Sequence, residues 1–426
     1  MPTKPTRRGA SNAAATIPLV EHMQRAAQLR AGAARRLRVA GLFAGIGGLE
    51  LGLHRAGHTT DLLCEIEPGA CSVLRARFPE IPLHDDVCTL RSLPRTTDLV
   101  VAGFPCQDLS QAGKTAGIEG SKSGLVGEVF RLLRCRRVPW VLLENVPFML
   151  QLSRGRAMEV IVASLEALGY KWAYRVVNTQ AFGLPQRRER VLMLASMDED
   201  PRRVLFSDEA PVSDDPEKDA RRFACGFYWT EGVRGLGWAV DAVPTLKGGS
   251  TIGIPSPPAI LMPDGRLVTP DLRDAERMQG FQVDWTKPAE TVGRASHRWK
   301  LVGNAVTVDV ARWLGERLIL PSDDGLGVPG AALDSGRPWP RAAWNVGQGR
   351  FSAQLSAFPE RRKGLPLQSF LRFAPKPLSI RATAGFLSRT SMGRLNFPDD
   401  FLVHVSRHLH SMQAAQEHEA SVSLQA

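Results

Sequence analysis

The amino-acid sequence predicts an α/β fold: a doubly wound, mostly parallel sheet joined to a small second region and a C-terminal extension. Three observations carry this. From Leu37 onward, short apolar runs alternate with stretches of helical periodicity. Each run ends in a turn. Between residues 198 and 270 the helical pattern gives way to Asp, Pro and Gly, with Tyr228, Trp229 and Trp238 scattered among them. Strands alternating with helices are the pattern of βαβ units, whose sheet is covered on both faces.

In chain order, residues 1–17 are Pro, Thr, Ala and Arg with few apolar groups, a composition that favours disorder, and residues 18–36 suit a basic helix. Residues 38–43 predict a first strand and 49–56 a helix closed by Gly57. Residues 62–66, 98–104 (DLVVAGF) and 139–143 predict three further strands, with a helix over 125–135 between the last two. A helix over 158–168, closed by Gly169, and a strand VLMLA over 191–195 follow. Helical patterning returns over 272–278 and 306–318, residues 321–350 are linker-like, and 351–412 suit a small extra domain or docking segment. The expected organisation is a basic arm (1–36), a core (37–199 and 271–320), a separate region (200–270), and a linker with a basic extension (321–426).

Composition narrows the function. The 426 residues suit two or three domains, and 43% hydrophobic with 23% charged residues is ordinary for a globular enzyme. No apolar run approaches the roughly 18 residues of a membrane span, and the N-terminus has no apolar secretory core, only a transit-peptide-like Arg and Ala content. Six cysteines without a CxxC pair or a metal-like Cys/His cluster point to a reduced, cytoplasmic setting and to no metal. The net charge of +11 is unevenly placed. Residues 1–40 carry eight Lys/Arg against Glu21, and residues 337–407 carry twelve against Glu360, Asp399 and Asp400, which leaves the remainder net acidic. Two cationic flanks suggest a polyanionic partner, nucleic acid above all.

Four motifs and two acidic positions carry chemistry. FAGIGG (43–48) follows a strand and opens a helix, where glycines and a helix N-terminus admit an anionic ligand, though a tight turn explains them too. Glu65, twenty residues past Gly45, ends the next strand, where a carboxylate can accept ribose hydroxyls or stay a solvated loop acid. Asp85 and Asp86 suit either an adenine amine or a helix N-cap. In GFPCQDLS (103–110), Cys106 lies just past a buried strand, where open α/β sheets bind ligands; a structural cysteine would sit inside the apolar run. ENV (144–146) puts Glu144 at the end of the next strand, so a thiol and an acid share one crevice. QRRER (186–190) brings three arginines before a strand, alternatively a solvated basic turn.

FAGIGG, GFPCQDLS, ENV, QRRER and GNAV (303–306) stand in the order found in cytosine-5 DNA methyltransferases, and over residues 37–320 the chain resembles that family. RDAERMQGF (273–281) resembles the family's penultimate motif. The resemblance implies a Rossmann-like methyltransferase fold that uses S-adenosylmethionine and acts on a flipped-out cytosine in double-stranded DNA. It implies that Phe43, Ala44, Gly45, Ile46, Gly47 and Gly48 cradle the methionine part of the cofactor. Glu65 with Ile66 would hold the ribose, Asp86 with Val87 the adenine, and Leu125 and Asn304 would line the same site. Cys106 would be the nucleophile, with Glu144 on the base N3 and N4, Arg190 on O2 and Arg188 beside it. Pro105, Gln107, Ser110, Gln186, Thr245, Gly249 and Ser250 would contact the DNA, with residues 200–270 as target recognition region. The resemblance also implies a monomer and a place in a bacterial restriction-modification system, beside a cognate endonuclease that need not bind it, or as a solitary enzyme. The stretch between QRRER and RDAERMQGF is short for this family, and the hundred or so residues after GNAV match no motif.

Overall fold

Runs such as LVVA and WVLLEN offer no polar face to solvent, so they belong in the middle of a sheet, and that is where they lie. The computed structural model describes residues 36–105, 124–211, 219–233, 235–248, 257–333 and 338–425. Its strands, in chain order, are β1 (Arg38–Leu42), β2 (Thr59–Cys64), β3 (Leu83–His84), β4 (Leu99–Ala102), β5 (Trp140–Asn145), β6 (Lys171–Asn178), β7 (Gln186–Arg187) and β8 (Glu189–Ser196). There follow β9 (Cys225–Phe227), β10 (Ala239–Val240), β11 (Val243–Pro244), β12 (Ala259–Leu261) and β13 (Leu267–Thr269), then β14 (Gly330–Ala332), β15 (Ala342–Asn345), β16 (Phe351–Ala353) and β17 (Lys376–Pro377). The main helices are α1 (Gly48–Ala56), α2 (Pro68–Arg77), α3 (Leu125–Cys135), α4 (Arg156–Ala167), α5 (Leu272–Met278), α6 (Arg298–Asn304), α7 (Val308–Ile319), α8 (Ile380–Thr390) and α9 (Phe401–Gln425).

The principal sheet has the order β14-β16-β15-β6-β8-β5-β4-β1-β2-β3. From β3 to β5 every pairing is parallel, the doubly wound part the sequence predicts. From β5 outward the pairings through β8, β6, β15, β16 and β14 are antiparallel. Alternation along each strand splits the core in two. Ala40, Val100, Ala102, Val141 and Leu143 face α3 and α4, while Val39, Leu99, Val101 and Leu142 face α1 and α7. α1 and α7 pack almost backbone to backbone: a methyl group on Gly52 would stand 2.4 Å from the Val308 carbonyl oxygen.

The stretch 321–350 is not a linker. Its strands β14 and β15 join β16 in extending the principal sheet, with Ala342 and Trp344 in the core. A second sheet, β10-β9-β12-β13-β17, combines residues of the 200–270 region with Lys376–Pro377. Leu378, Phe386, Phe401 and Val405 of the extension bury its Phe227, Ala259 and Leu267. The helix over 68–77 went unread because its apolar residues are small, although Pro68 at its start and Glu67, which accepts the Ala70 N–H, are ordinary start signals. The expected basic helix over 18–36 lies almost wholly outside the described residues.

One acid is buried among the apolar side chains. Glu50 on α1 lies against Gly41 of β1, where any side chain would collide with its carboxylate. Burial pushes its pKa up from the usual 4.5 to about 7. Between these values the folded chain keeps a proton that the unfolded chain releases. The contribution of Glu50 to stability is therefore complete below about 4.5 and is lost as pH rises through about 7. Glu50→Gln, which cannot ionise, is expected to gain roughly 3 kcal/mol relative to wild type between pH 4.5 and 8. Urea unfolding of both proteins at the two pH values checks this, and parallel pH dependences would refute it.

Candidate active site

The parallel strands end on one edge of the sheet, and the motif residues gather there. The FAGIGG loop turns sharply after β1, with Phe43, Gly45 and Gly47 all at positive φ. It is tied to β2 by Gly45, whose N–H donates to Glu65 Oε2 at 2.7 Å, while the N–H groups of Ile66 and Glu67 donate to Oε1. Three bonds orient the Glu65 carboxylate, and of its roughly four acceptor directions one remains free. A cavity of about 230 Å³ opens here, lined by Phe43, Gly45, Ile46, Glu65, Ile66, Asp86, Val87, Leu125 and Asn304 among others. Ile66 is 68% exposed and offers an apolar face. Among the described residues, chain neighbours aside, no atom lies within 4 Å of where a side chain on Gly45 would begin, and Gly45 lines the cavity.

Ala44, Gly47 and Gly48, expected at the cofactor, do not line this cavity. Gly47 and Gly48 are closely packed. A methyl on Gly47 would meet the Phe78 ring at 2.4 Å, and one on Gly48 the Val306 carbonyl oxygen at 2.3 Å, so the last motif seats directly on the first. Pro105, expected at the DNA, lies on the cavity wall instead. Cavity-lining Lys300 was missed, though it stands four residues before Asn304, one turn away on the same face of α6.

Glu144 and Arg190 form the second centre. β5 and β8 are antiparallel neighbours with Glu144 opposite Leu192, which puts Arg190 diagonally across on the same face. Arg190 and Glu144 form an ion pair, with Nε 2.8 Å from Oε1. Burial raises the Glu144 pKa from its usual value, opposed by the two arginines 190 and 188. A methyl on Gly103 would stand 3.2 Å from Glu144 Oε2, so the acid lies beside the start of the GFPC loop. Asn145 holds that loop: its Nδ2 donates to the Phe104 carbonyl at 3.0 Å. Cys106, Gln107, Ser110, Gly249 and Ser250 lie outside the described residues.

A wider cleft of about 750 Å³ borders Arg190, lined by Val146, Phe148, Arg187, Glu189, Thr245, Lys247, Gly248 and Asn304 among others. Of the expected catalytic and DNA-contacting residues that are described, Pro105, Glu144, Gln186 and Arg188 do not line it. Gln186 is fully buried, donating to the Met278 carbonyl and accepting the Leu246 N–H. Arg188, expected beside the base, is 1% exposed, and its guanidinium donates to the carbonyls of Leu246, Gly303 and Ala305. The alternation of QRRER turns both inward, and at Arg188 the inward direction meets backbone, not the cleft. Arg188 is therefore a staple between the 243–248 segment and α6. Phe148, at 59% exposure on the cleft wall, was also missed; its motif ENV was read only as far as Val146.

No helix among the described residues is long and apolar enough to cross a membrane. Residues 37–222 match the family model of C-5 cytosine-specific DNA methylases. Over 386 residues, 87% of this chain and 98% of the other, the sequence is 46% identical to the type II methyltransferase M2.BsuMI of Bacillus subtilis (strain 168). It is 36% identical to the type II methyltransferase M.BanI of Aneurinibacillus aneurinilyticus over 40% of this chain and 41% of that one. Among solved structures, the S. pombe Dnmt2 methyltransferase aligns with 66% of this chain and 98% of its own, at 18% identity and a TM-score of 0.48.

Proposed function

The chain belongs to the C-5 cytosine-specific DNA methylase family and methylates cytosine at C5 within DNA, and we propose on that premise that Cys106 is its nucleophile and S-adenosylmethionine its methyl donor. The observation that carries this reading is a shared wall: Asn304 lines both the 230 Å³ cavity beside Glu65 and the cleft beside Arg190. A donor in the first and a base in the second are held against each other.

The cavity suits the donor. Glu65 has an acceptor direction left for a ribose hydroxyl, Asp86 can accept an adenine amine, and exposed Ile66 offers a face to the purine. Bound there, S-adenosylmethionine supplies an electrophilic methyl group on a sulfonium. The chain's own residues make the base able to take it. Cytosine C5 is a poor nucleophile, so the Cys106 thiolate adds to C6, forming an S–C bond while the displaced π electrons move into the ring. Glu144, whose hold on a proton burial strengthens, is the group we assign to deliver a proton to N3. Arg190, in contact with Glu144, holds O2. C5 is now enamine-like. After methyl transfer, which leaves the donor as a thioether, a base removes the C5 proton, the C6–S bond breaks and the N3 proton returns to Glu144, which restores the ring, the thiolate and the acid. A base inside a stacked duplex offers no such access, hence the flipping.

The type II designation of M2.BsuMI and M.BanI supports a restriction-modification role, with a cognate endonuclease that need not bind this chain. The basic flanks suit double-stranded DNA, and we read the enzyme as a cytoplasmic monomer. The test is a trap. In a random-sequence duplex pool carrying 5-fluorocytosine, C5 holds fluorine where the proton should leave, so elimination of Cys106 stalls. A protein–DNA adduct on denaturing gels, dependent on S-adenosylmethionine and not formed with tRNA, is expected; its absence would refute the addition–elimination route.

A further inference from the structure

We propose that Gly248, in the segment bordering the DNA cleft, is a positioning residue for the cofactor cavity and acts through Asn304. This rests on reading that cavity as the S-adenosylmethionine site. The 243–248 segment and α6 meet backbone to backbone: a methyl on Gly303 would stand 2.3 Å from the Lys247 carbonyl carbon and 2.5 Å from the Gly248 nitrogen. Arg188 clamps the two pieces by donating to Leu246 on one and Gly303 on the other. The Asn304 side chain is then confined between cleft and cavity. A methyl on Gly248 would stand 2.6 Å from its amide oxygen, while the next atoms, Asn304 Cγ and Lys300 Cγ, lie at 3.4 Å.

That geometry decides what gives way. Among the described residues, the one atom too close is the end of a flexible side chain, so the amide swings and the clamped backbone stays. Gly248 lies outside the left-handed region, so alanine brings no backbone strain. The absence of one methyl group in the DNA-side segment thus sets the position of an amide on the cofactor side.

Titration of the full-length protein with S-adenosylhomocysteine tests this in a double-mutant cycle. Gly248→Ala is expected to weaken binding about fivefold or more, with the melting temperature kept. In an Asn304→Ala background the same change should cost less than about twofold, because the displaced group is gone. Gly248→Ser should weaken binding further than alanine does, which keeps the test decisive if Asn304→Ala binds too weakly to titrate. Equal losses in both backgrounds, or no graded loss from glycine to alanine to serine, overturn the proposal. Failure of wild type to bind S-adenosylhomocysteine would instead overturn the reading of the cavity.

Discussion

Cys106→Ser is expected to abolish methyl transfer, lowering the rate on the order of 10⁴-fold or more, equivalent to about 5 kcal/mol of lost transition-state stabilisation. A serine hydroxyl is nearly the size of the thiol but ionises far less readily, and addition to C6 needs the anion. The loop before it supports the assignment. Pro105 lies on the cavity wall, and Asn145 anchors Phe104, so position 106 follows directly on backbone held between donor and base sites. Affinity for S-adenosylhomocysteine should change little, because the contacts ascribed to the cofactor come from Glu65, Asp86 and Asn304. A tritiated-methyl assay on duplex DNA measures the first effect and equilibrium titration the second. Turnover within tenfold of wild type would remove Cys106 from the mechanism.

Glu144→Gln is expected to lower kcat roughly 10²–10⁴-fold. The amide can still donate a hydrogen bond, but it cannot release a proton to N3, and it removes the carboxyl group that pairs with the mostly buried Arg190. The pH profile supplies a second signature. Burial is the first cause of the raised Glu144 pKa, so wild-type kcat should fall on the alkaline side as the proton is lost, and the glutamine variant should lack that limb. Wild-type activity unaffected by the change, or an alkaline limb retained in the variant, would assign the proton donor elsewhere.

The centre of this site was legible because its signals are local. An apolar run followed at once by a polar residue marks the end of a buried strand, and such ends place Glu65 and Glu144 at the site. Helices with strong periodicity were equally legible: 125–135 and 272–278 form over the residues the pattern marks. The second sheet was not, because β9, β12 and β13 are three residues long each, too short to display alternation, and their cover comes from residues 378–405.

What the sequence by itself determined is the family, the doubly wound core and the placing of Glu65, Asp86 and Arg190 on the two cavities, with Glu144 beside Arg190. What only the tertiary structure decided is which equivalent-looking residues do something else. Arg188 and Arg190 are two letters apart in one motif, yet one meets Glu144 and the other meets carbonyls 58 and 115 residues away. Gly45 lines the cavity, whereas Gly47 and Gly48 admit Phe78 and Val306. The reason is physical. Periodicity and strand ends arise from neighbours in the chain, whereas the partner of an inward-facing side chain is whatever distant segment closes over it.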